Sequence, residues 1–264
     1  MNLGSITPAA LLLATTLALA GCGGPPAPST AGTPPAAAAE SPASSPAVSL
    51  AASPATIPSS APAPAPAPAP KSYAAPELAA IIAGLKDAEG RPLTAIPAAQ
   101  LDQGIDIARQ MMASAVITPA ECGALAESNA QIPPGSTYAA GRSQPAKEKA
   151  MTVLTLVAVT DPAVLDKGVE TSLANGTKCS SFTTELQNQR ITSKTEVLDV
   201  KTAGDKSFGS LATQTMPSGQ TVTTVVVMGI KGTLSASAMV SGAGLTSAAS
   251  ADLARLVDAA LAKG

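Results

Sequence analysis

The sequence predicts an α+β domain: an antiparallel β-sheet of about five to six strands packed by helices on one face, after a disordered linker. Three observations predict it. Helical periodicity dominates residues 77–122, β-branched stretches follow one another from residue 151, and a last helical stripe ends the chain. Runs of consecutive strands favour an antiparallel sheet with segregated helices.

Two amphipathic helices come first. In the stretch PELAAIIAGL, residues at i, i+3, i+4 and i+7 are apolar and share one helical face: Leu78, Ile81, Ile82 and Leu85. A second stripe has the same spacing: Leu101, Ile105, Ala108 and Met112. The stretch TPAE then predicts a third, short helix, with Thr118 as N-cap, Pro119 in the first turn and Glu121 at the capping-box position. Cys122 would lie in its first turn.

The pattern changes to strands after residue 150. Residues 151–159 are β-branched and apolar on both faces, which predicts an inner strand. Asp161 caps a helix in which Leu165, Val169 and Leu173 share a face, and Asn175-Gly176 is predicted to end it. Further strands are predicted over 181–187, 191–200, 207–216, 221–230 and 233–240, with Ser218-Gly219 as a hairpin turn.

The last predicted helix has one continuous apolar stripe, formed by Leu253, Leu256, Val257, Ala260 and Leu261. By length, residues 71–264 form one domain. This part carries all 16 basic residues and every acidic residue of the chain except Glu40, so its charge is nearly balanced. We therefore expect no nucleic-acid partner.

Composition argues against most catalytic arrangements. The chain has no His, which excludes Ser-His-Asp and Cys-His catalysis. It has no phosphate-binding loop, and Gly242-Ala243-Gly244 lacks the third glycine of a dinucleotide fingerprint. We therefore expect no enzyme, no metal site and no cofactor, although carboxylates paired in space remain a third, catalytic alternative.

The N-terminal residues predict export. The run from Ile6 to Ala20 is apolar and uncharged, but shorter than the roughly twenty residues of a bilayer span. Its end overlaps the stretch Leu19-Ala20-Gly21-Cys22, which resembles the lipobox of bacterial lipoproteins. The resemblance implies a signal peptide over residues 1–21 and a lipid on Cys22. Ordinary cleavage after Ala18-Leu19-Ala20 and an uncleaved anchor are the alternatives, and no Lys or Arg precedes the run.

Residues 22–70 would then form the lipidated cysteine and a linker. Residues 23–70 hold fourteen prolines and a single charge, Glu40. Such a segment has too little apolar surface to fold, so we expect it to be disordered. Extended as polyproline II, it would span on the order of 100 Å.

Two cysteines remain for the domain, Cys122 and Cys179. In an exported protein such a pair is most simply a disulfide. By the chain-entropy estimate, it would contribute about 4 kcal/mol. Two unpaired buried thiols or a metal site are the alternatives.

Taken together, the lipobox, the Ala/Pro/Ser linker and the domain resemble the envelope lipoproteins of mycobacteria and other actinobacteria. The stretch ITPAEC (117–122) and the later Cys179 are similar to sensor-type domains there, including the extracellular part of a mycobacterial Ser/Thr kinase. Only Cys22, Cys122 and Cys179 can be matched residue by residue to that family. The resemblance implies an antiparallel sheet backed by helices, with a cleft for a ligand or partner.

We therefore expect a lipoprotein on the outer face of the cell membrane, with a non-catalytic ligand-binding or sensor-like domain. Its partners would be the membrane, through the lipid anchor, and an unknown small apolar ligand, whose binding residues the sequence does not identify. The alternative is an interaction protein that docks on an envelope protein.

Overall fold

A computed structural model describes residues 71–123, 132–144 and 150–264. The predicted signal peptide (1–21), Cys22 and the linker (22–70) lie outside these described residues. The elements, in chain order, are α1 (Ala75–Ala83), β1 (Leu93–Ala95), α2 (Ala98–Ala113), β2 (Val116–Thr118), a 3-10 turn (Ala120–Cys122), β3 (Thr137–Ser143), β4 (Met151–Ala158), α3 (Pro162–Lys178), β5 (Ser181–Leu186), β6 (Gln189–Leu198), β7 (Lys206–Thr215), β8 (Thr221–Lys231), β9 (Leu234–Gly242) and α4 (Ala249–Lys263).

The strands form one antiparallel sheet in the order β1-β3-β4-β9-β8-β7-β6-β5-β2. The α+β class and the antiparallel pairing are confirmed, but the sheet has nine strands, so the prediction of five to six is wrong. The missed strands are β1, β2 and β3. Two of them have only three residues, too few to show an alternation, and β3 carries Gly141 and Arg142 among small residues.

One face of the sheet, here called face A, carries the main core. Cross-strand partners share a face, so Leu154, Ala238 and Val227 lie on it together. The apolar stripes of α1 and α4 pack against this face in the largest cluster of buried side chains. Both helices follow the stripes predicted from the sequence, including Leu78 and Leu256.

The other face, face B, is covered in part by α3. Leu165 and Val169 of this helix pack against Val157 and Ile230 of the sheet. The prediction that the helices lie on one face is therefore wrong. Since α3 joins β4 to β5, which lie far apart in the strand order, it has to cross the sheet. It crosses on face B because α1 and α4 already fill face A.

Two predicted helix boundaries also differ. Thr118 is the last residue of β2 rather than an N-cap, and the 3-10 turn after Pro119 has no side-chain cap. Asn175-Gly176 does not end α3, which continues to Lys178. Gly176 instead allows a close approach to the sheet, because a Cβ there would lie 2.9 Å from Cγ2 of Val197. The Asp161 cap is confirmed: its carboxylate accepts the N–H of Ala163 at 3.0 Å.

A buried carboxylate ties the loop after α1 to the end of β3. Asp87 accepts the backbone N–H of Arg91 at 2.8 Å and the Nε–H of Arg91 at 2.6 Å. The Ser143 hydroxyl donates to the same carboxylate and accepts the N–H of Thr152 at 3.2 Å. Burial raises the pKa of Asp87, but the hydrogen bonds from Arg91 and Ser143 and the Arg91 charge outweigh it, so the net pKa is lowered.

Candidate functional site

Face B carries an apolar strip to which no described helix contributes. Met151, Val153, Val226 and Met239, here called the methionine strip, form a separate cluster in which Val153 and Met239 are buried. The two larger clusters each combine strand and helix side chains. Within the described ranges, the methionine strip contains strand side chains alone.

Unsatisfied polar atoms lie on the same face. Ser237 is 2% exposed, and its Oγ atom has no hydrogen-bond partner among the described residues. The Oε1 atom of Gln214 is also buried and also has no described partner. Ser237 pairs with Met228 on β8, and Gln214 pairs with Ser193 on β6, which places both side chains on face B. A buried polar atom without a partner costs about 1–3 kcal/mol. Such atoms are therefore candidates for contact with a ligand.

Helix α2 lies on the face B side of the sheet. The hydroxyl of Tyr138 donates to Oδ1 of Asp102 at 2.5 Å. Tyr138 pairs with Val157, so its side chain is on face B. The hydrogen bond to Asp102, followed by burial, raises the pKa of Tyr138 above its usual value of 10.0. The phenol is therefore protonated at neutral pH and remains a donor to α2.

The topology takes α2 across the strip. This helix joins β1 and β2, the two edge strands of the sheet. It begins near β3, where the N–H of Ile96 donates to the carbonyl oxygen of Ala140 at 2.8 Å. It ends before β2, which pairs with the far end of β5 from Val116 to Glu185. A line between these ends crosses β4, β9 and β8 at the level of the methionine strip.

The inner side of α2 is formed by two buried residues. Ile105 and Ala108 are buried, but they belong to none of the clusters formed by described side chains. We call the region between the inner side of α2 and the methionine strip, where Val153 and Met239 are buried, the slot. Ser237 marks one end and Gln214 the other. They are separated by two strand spacings and six residues, or roughly 22 Å.

The slot suits an elongated, mainly apolar molecule. Its lining is aliphatic and thioether, and methionine adapts its shape easily to a ligand. It also contains polar groups: Thr224 and Ser241 hydrogen-bond to each other at 2.8 Å, and the Oγ atom of Ser237 has no partner among the described residues. An apolar lining with a small number of placed polar groups is typical of small-molecule sites.

Arg142 is a cationic side chain at the β3 end of the slot. Arg142 pairs with Val153 and so lies on face B, where it is exposed. It forms no ion pair or hydrogen bond with any described side chain. The other charges near Tyr138 are engaged: Asp102 accepts its hydroxyl, and Asp106 pairs with Arg109 at 3.5 Å. Among the described charges at this end of face B, that of Arg142 is therefore without a described partner.

A small cavity is formed at the ends of β3 and β4. A cavity of about 170 Å³ lies between the segment Lys71–Tyr73 and residues at the ends of β3 and β4. Ligand pockets usually enclose ≈ 300–1,000 Å³. The Nζ atom of Lys71 is already bound to the carbonyl oxygen of Gly264 at 2.8 Å. This cavity is therefore smaller than a usual ligand pocket, and the ammonium group of Lys71 that lines it already has a hydrogen-bond partner.

Two of the three cysteines predicted as site residues form a disulfide. Cys122 and Cys179 form a disulfide with an S–S distance of 2.11 Å and a Cα–Cα distance of 5.7 Å. Both are buried beside Ile117 and Phe182. The bond ties the turn after β2 to the end of α3, away from the methionine strip. Cys22 lies outside the described residues.

Sequence reasoning missed the residues of the slot. A signal was present in residues 151–159, because a strand that is apolar on both faces requires cover on both. The pairing of Val153 with Met239 is visible only in the strand order. In the described part of the chain, no helix is long and apolar enough to cross a membrane. The same residues include no group of three His, Cys, Asp or Glu that could hold a metal ion.

Two solved structures are similar to part of this chain. No protein-family model and no curated protein matches the chain. The chain is similar to the crystal structure of the extracellular domain of PknH from Mycobacterium tuberculosis, with a TM-score of 0.42 and 15% identity, over 56% of this chain and 78% of that one. It is also similar to a putative uncharacterized protein (Rv0999 ortholog) from Mycobacterium smegmatis, with a TM-score of 0.39 and 14% identity, over 66% of this chain and 85% of that one. At these identities and TM-scores, neither likeness carries a conclusion about the role of this chain or of its residues.

Proposed function

We propose that this chain is a lipoprotein anchored on the outer face of the cell membrane, whose non-catalytic domain binds an elongated apolar ligand in the slot. The observation that carries the proposal is the methionine strip, an apolar surface of strand side chains beside the unpartnered hydroxyl of Ser237. Val153 and Met239 are already buried, so a ligand would bury the accessible parts of Met151 and Val226, at roughly 25 cal/mol per Å². Its own polar atoms would satisfy the hydroxyl.

The proposed location rests on the sequence and on the disulfide. The apolar run from Ile6 to Ala20 and the cysteine at position 22 match an exported lipoprotein. The linker would let the domain stand away from the bilayer. A disulfide between Cys122 and Cys179 suits an oxidising compartment outside the cytoplasm.

A photo-crosslinking experiment tests the ligand. Cell envelopes that contain the full chain would be irradiated with a diazirine-bearing alkyl alcohol, and labelled peptides would be mapped by mass spectrometry. We expect UV-dependent labelling in β4, β8 or β9. Val226→Glu places a charge in the methionine strip and should remove the labelling.

The matched control is Val116→Glu, the same substitution at a 63% exposed position on edge strand β2. It should leave the labelling intact. Absence of labelling in the wild-type chain, or equal labelling in Val226→Glu, would reject the slot as a ligand site.

The anchor has a separate test. Cys22→Ala removes the thiol that would accept the lipid, so the variant should leave the membrane fraction and appear in the soluble one. Immunoblotting of the two fractions measures this. A variant that stays in the membrane fraction would contradict the lipoprotein assignment and leave the ligand proposal standing.

A second candidate function is docking on an envelope protein through β2. This strand is at the edge of the sheet, and its Val116 is exposed. Edge strands offer unpaired backbone groups to another chain. Protein crosslinks that disappear in Val116→Glu and persist in Val226→Glu would favour this function over ligand binding.

A further inference from the structure

We infer that the disulfide between Cys122 and Cys179 locks β2 over the edge of β5, and that the chain without this bond pairs with a second copy of itself through β5. The docking surface is the outer edge of β5, and its occupant is the same strand of another molecule. The inference goes beyond the proposed function, because it does not depend on a ligand in the slot. Three observations carry it: the place of the disulfide, the packing of β2 and the self-complementary sequence of β5.

The disulfide joins the end of β2 to the start of β5. Cys122 is the last residue of the 3-10 turn that follows β2, and Cys179 lies just before Ser181, the first residue of β5. The two strands are antiparallel, with Thr118 opposite Thr183. The bond therefore closes one end of the β2–β5 ladder and holds β2 in register.

The described side chains of β2 pack weakly apart from this bond. The strand has three residues, of which Val116 is 63% exposed and Thr118 is also exposed. Ile117 is half-buried, and it packs with Phe182 against the two cysteines. Loss of the bond therefore removes the covalent tie and loosens the one described apolar cluster that includes a residue of β2. We expect β2 to leave β5 when the bond is absent.

Without β2, β5 presents a longer edge than β2 now covers. It has six residues, all paired with β6 on one side, whereas β2 covers Thr183 to Glu185 on the other. Its sequence, SFTTEL, contains aromatic and β-branched residues, which favour strands. A strand with one unpaired side is a template for another chain. Release of β2 therefore creates a docking edge.

The sequence of β5 is complementary to itself. A two-fold axis at Thr184 would place this residue opposite the same residue of a second copy. Phe182 would then lie opposite Leu186 of the copy, and Thr183 opposite Glu185, each pair occurring twice. Phe182 and Leu186 are half-buried and share a face, so their pairing removes apolar surface from water. No like charges are opposed, and the paired stretch, 182–186, is longer than the stretch 183–185 that β2 covers.

Opening the lock requires a dithiol. The dithiol gives two electrons and two protons to the bond, so that Cys122 and Cys179 become thiols and the dithiol becomes a disulfide. The two cysteines are 1% and 2% exposed, so exchange is slow while β2 remains in place. The oxidised chain is therefore the monomeric form, and the reduced chain is the form that associates.

Sedimentation velocity of the full chain, extracted in a non-ionic detergent, tests the lock. The oxidised wild type should sediment as a monomer at every concentration. The double variant, Cys122→Ser with Cys179→Ser, should become a dimer as the concentration rises. Wild type treated with dithiothreitol until both cysteines can be alkylated should behave like the double variant. Val227→Ala, which destabilises the core with the bond intact, should remain monomeric.

Two lysine substitutions in the double variant test the pairing. Thr184→Lys places like charges opposite each other at the two-fold axis, so it should raise the dimer Kd at least about tenfold. Thr183→Lys is the matched control, the same substitution at the neighbouring position of β5. It places a lysine opposite Glu185 of the second copy, so it should preserve or tighten the dimer.

A monomeric double variant, or a dimer of the oxidised wild type, would overturn the lock. Dimers of Val227→Ala would also overturn it, because loss of stability alone would then cause association. Association that is equally strong in Thr184→Lys and Thr183→Lys is the behaviour of a non-specific aggregate, and it would overturn pairing through β5.

Discussion

The two faces of the sheet differ in how their side chains are satisfied. On face A, α1 and α4 bury their stripes against the strands, and the buried polar groups at its edge, Asp87 and Ser143, are hydrogen-bonded. On face B, the methionine strip has no described helix packed against it, and Ser237 has no described partner. We infer that face A holds the domain together, whereas face B gives up some stability for binding.

The largest expected effect is the loss of stability when the disulfide between Cys122 and Cys179 is removed. Replacing both cysteines, Cys122→Ser with Cys179→Ser, should lower the free energy of unfolding by about 4 kcal/mol, because the unfolded chain loses a loop constraint over 57 residues. Urea denaturation measures it. Reductant should destabilise the wild type and leave the double variant unchanged. An unchanged urea midpoint in the double variant would show that contacts alone hold β2 in place.

Neighbouring valines on β8 provide the direct comparison of the faces. Val227 is fully buried on face A, and Val226 is partly buried in the methionine strip. Val227→Ala should cost about 2.5 kcal/mol, since it leaves a cavity among close-packed side chains. Val226→Ala should cost about 1 kcal/mol, measured in the absence of ligand by the same urea titration. Equal costs would mean that the strip is as well packed as the core.

Two buried serines sharpen the comparison for polar groups. Ser143→Ala removes a hydroxyl that bonds to Asp87 and Thr152, so it should cost about 1–2 kcal/mol. Ser237→Ala removes a buried hydroxyl without a described partner, so it should raise the stability of the ligand-free protein by about 1 kcal/mol. Thermal unfolding followed by circular dichroism measures both. A large loss in Ser237→Ala would reveal a partner for that hydroxyl.

The smallest expected effect is the pH dependence of stability that Asp87 contributes. Its folded pKa is lowered below the usual value of 3.8, so it contributes stability above that pH, and this contribution is lost as pH falls through the folded pKa. Wild-type unfolding free energy should therefore decrease below about pH 4. Asp87→Asn should show a shallower decrease over the same range. Parallel pH profiles for the two proteins would remove Asp87 as a source of acid sensitivity.

Local patterns predicted the elements that are long and strongly patterned. The helix stripes through Ile82 and Val257 and the inner strand over 151–159 lie where the sequence predicted them. Burial of one helical face produces a regular spacing of apolar residues, and burial of both strand faces produces a continuous apolar run. The three-residue strands β1 and β2 show no such pattern. The backbone pairing of Ile117 with Thr184 forms because the chain returns to the sheet edge, not because of local propensity.

By itself, the sequence determined the α+β class, the six strands from Met151 onward, the helices α1 to α4 and the availability of one cysteine pair. Those properties depend on periodicity, composition and count. The tertiary structure decided which helices cover which face, and that Val153, Met239 and Val226 form one strip beside Ser237. These residues belong to three strands, and their proximity depends on strand order and register. Long-range pairing sets both, so neither is visible in neighbouring residues.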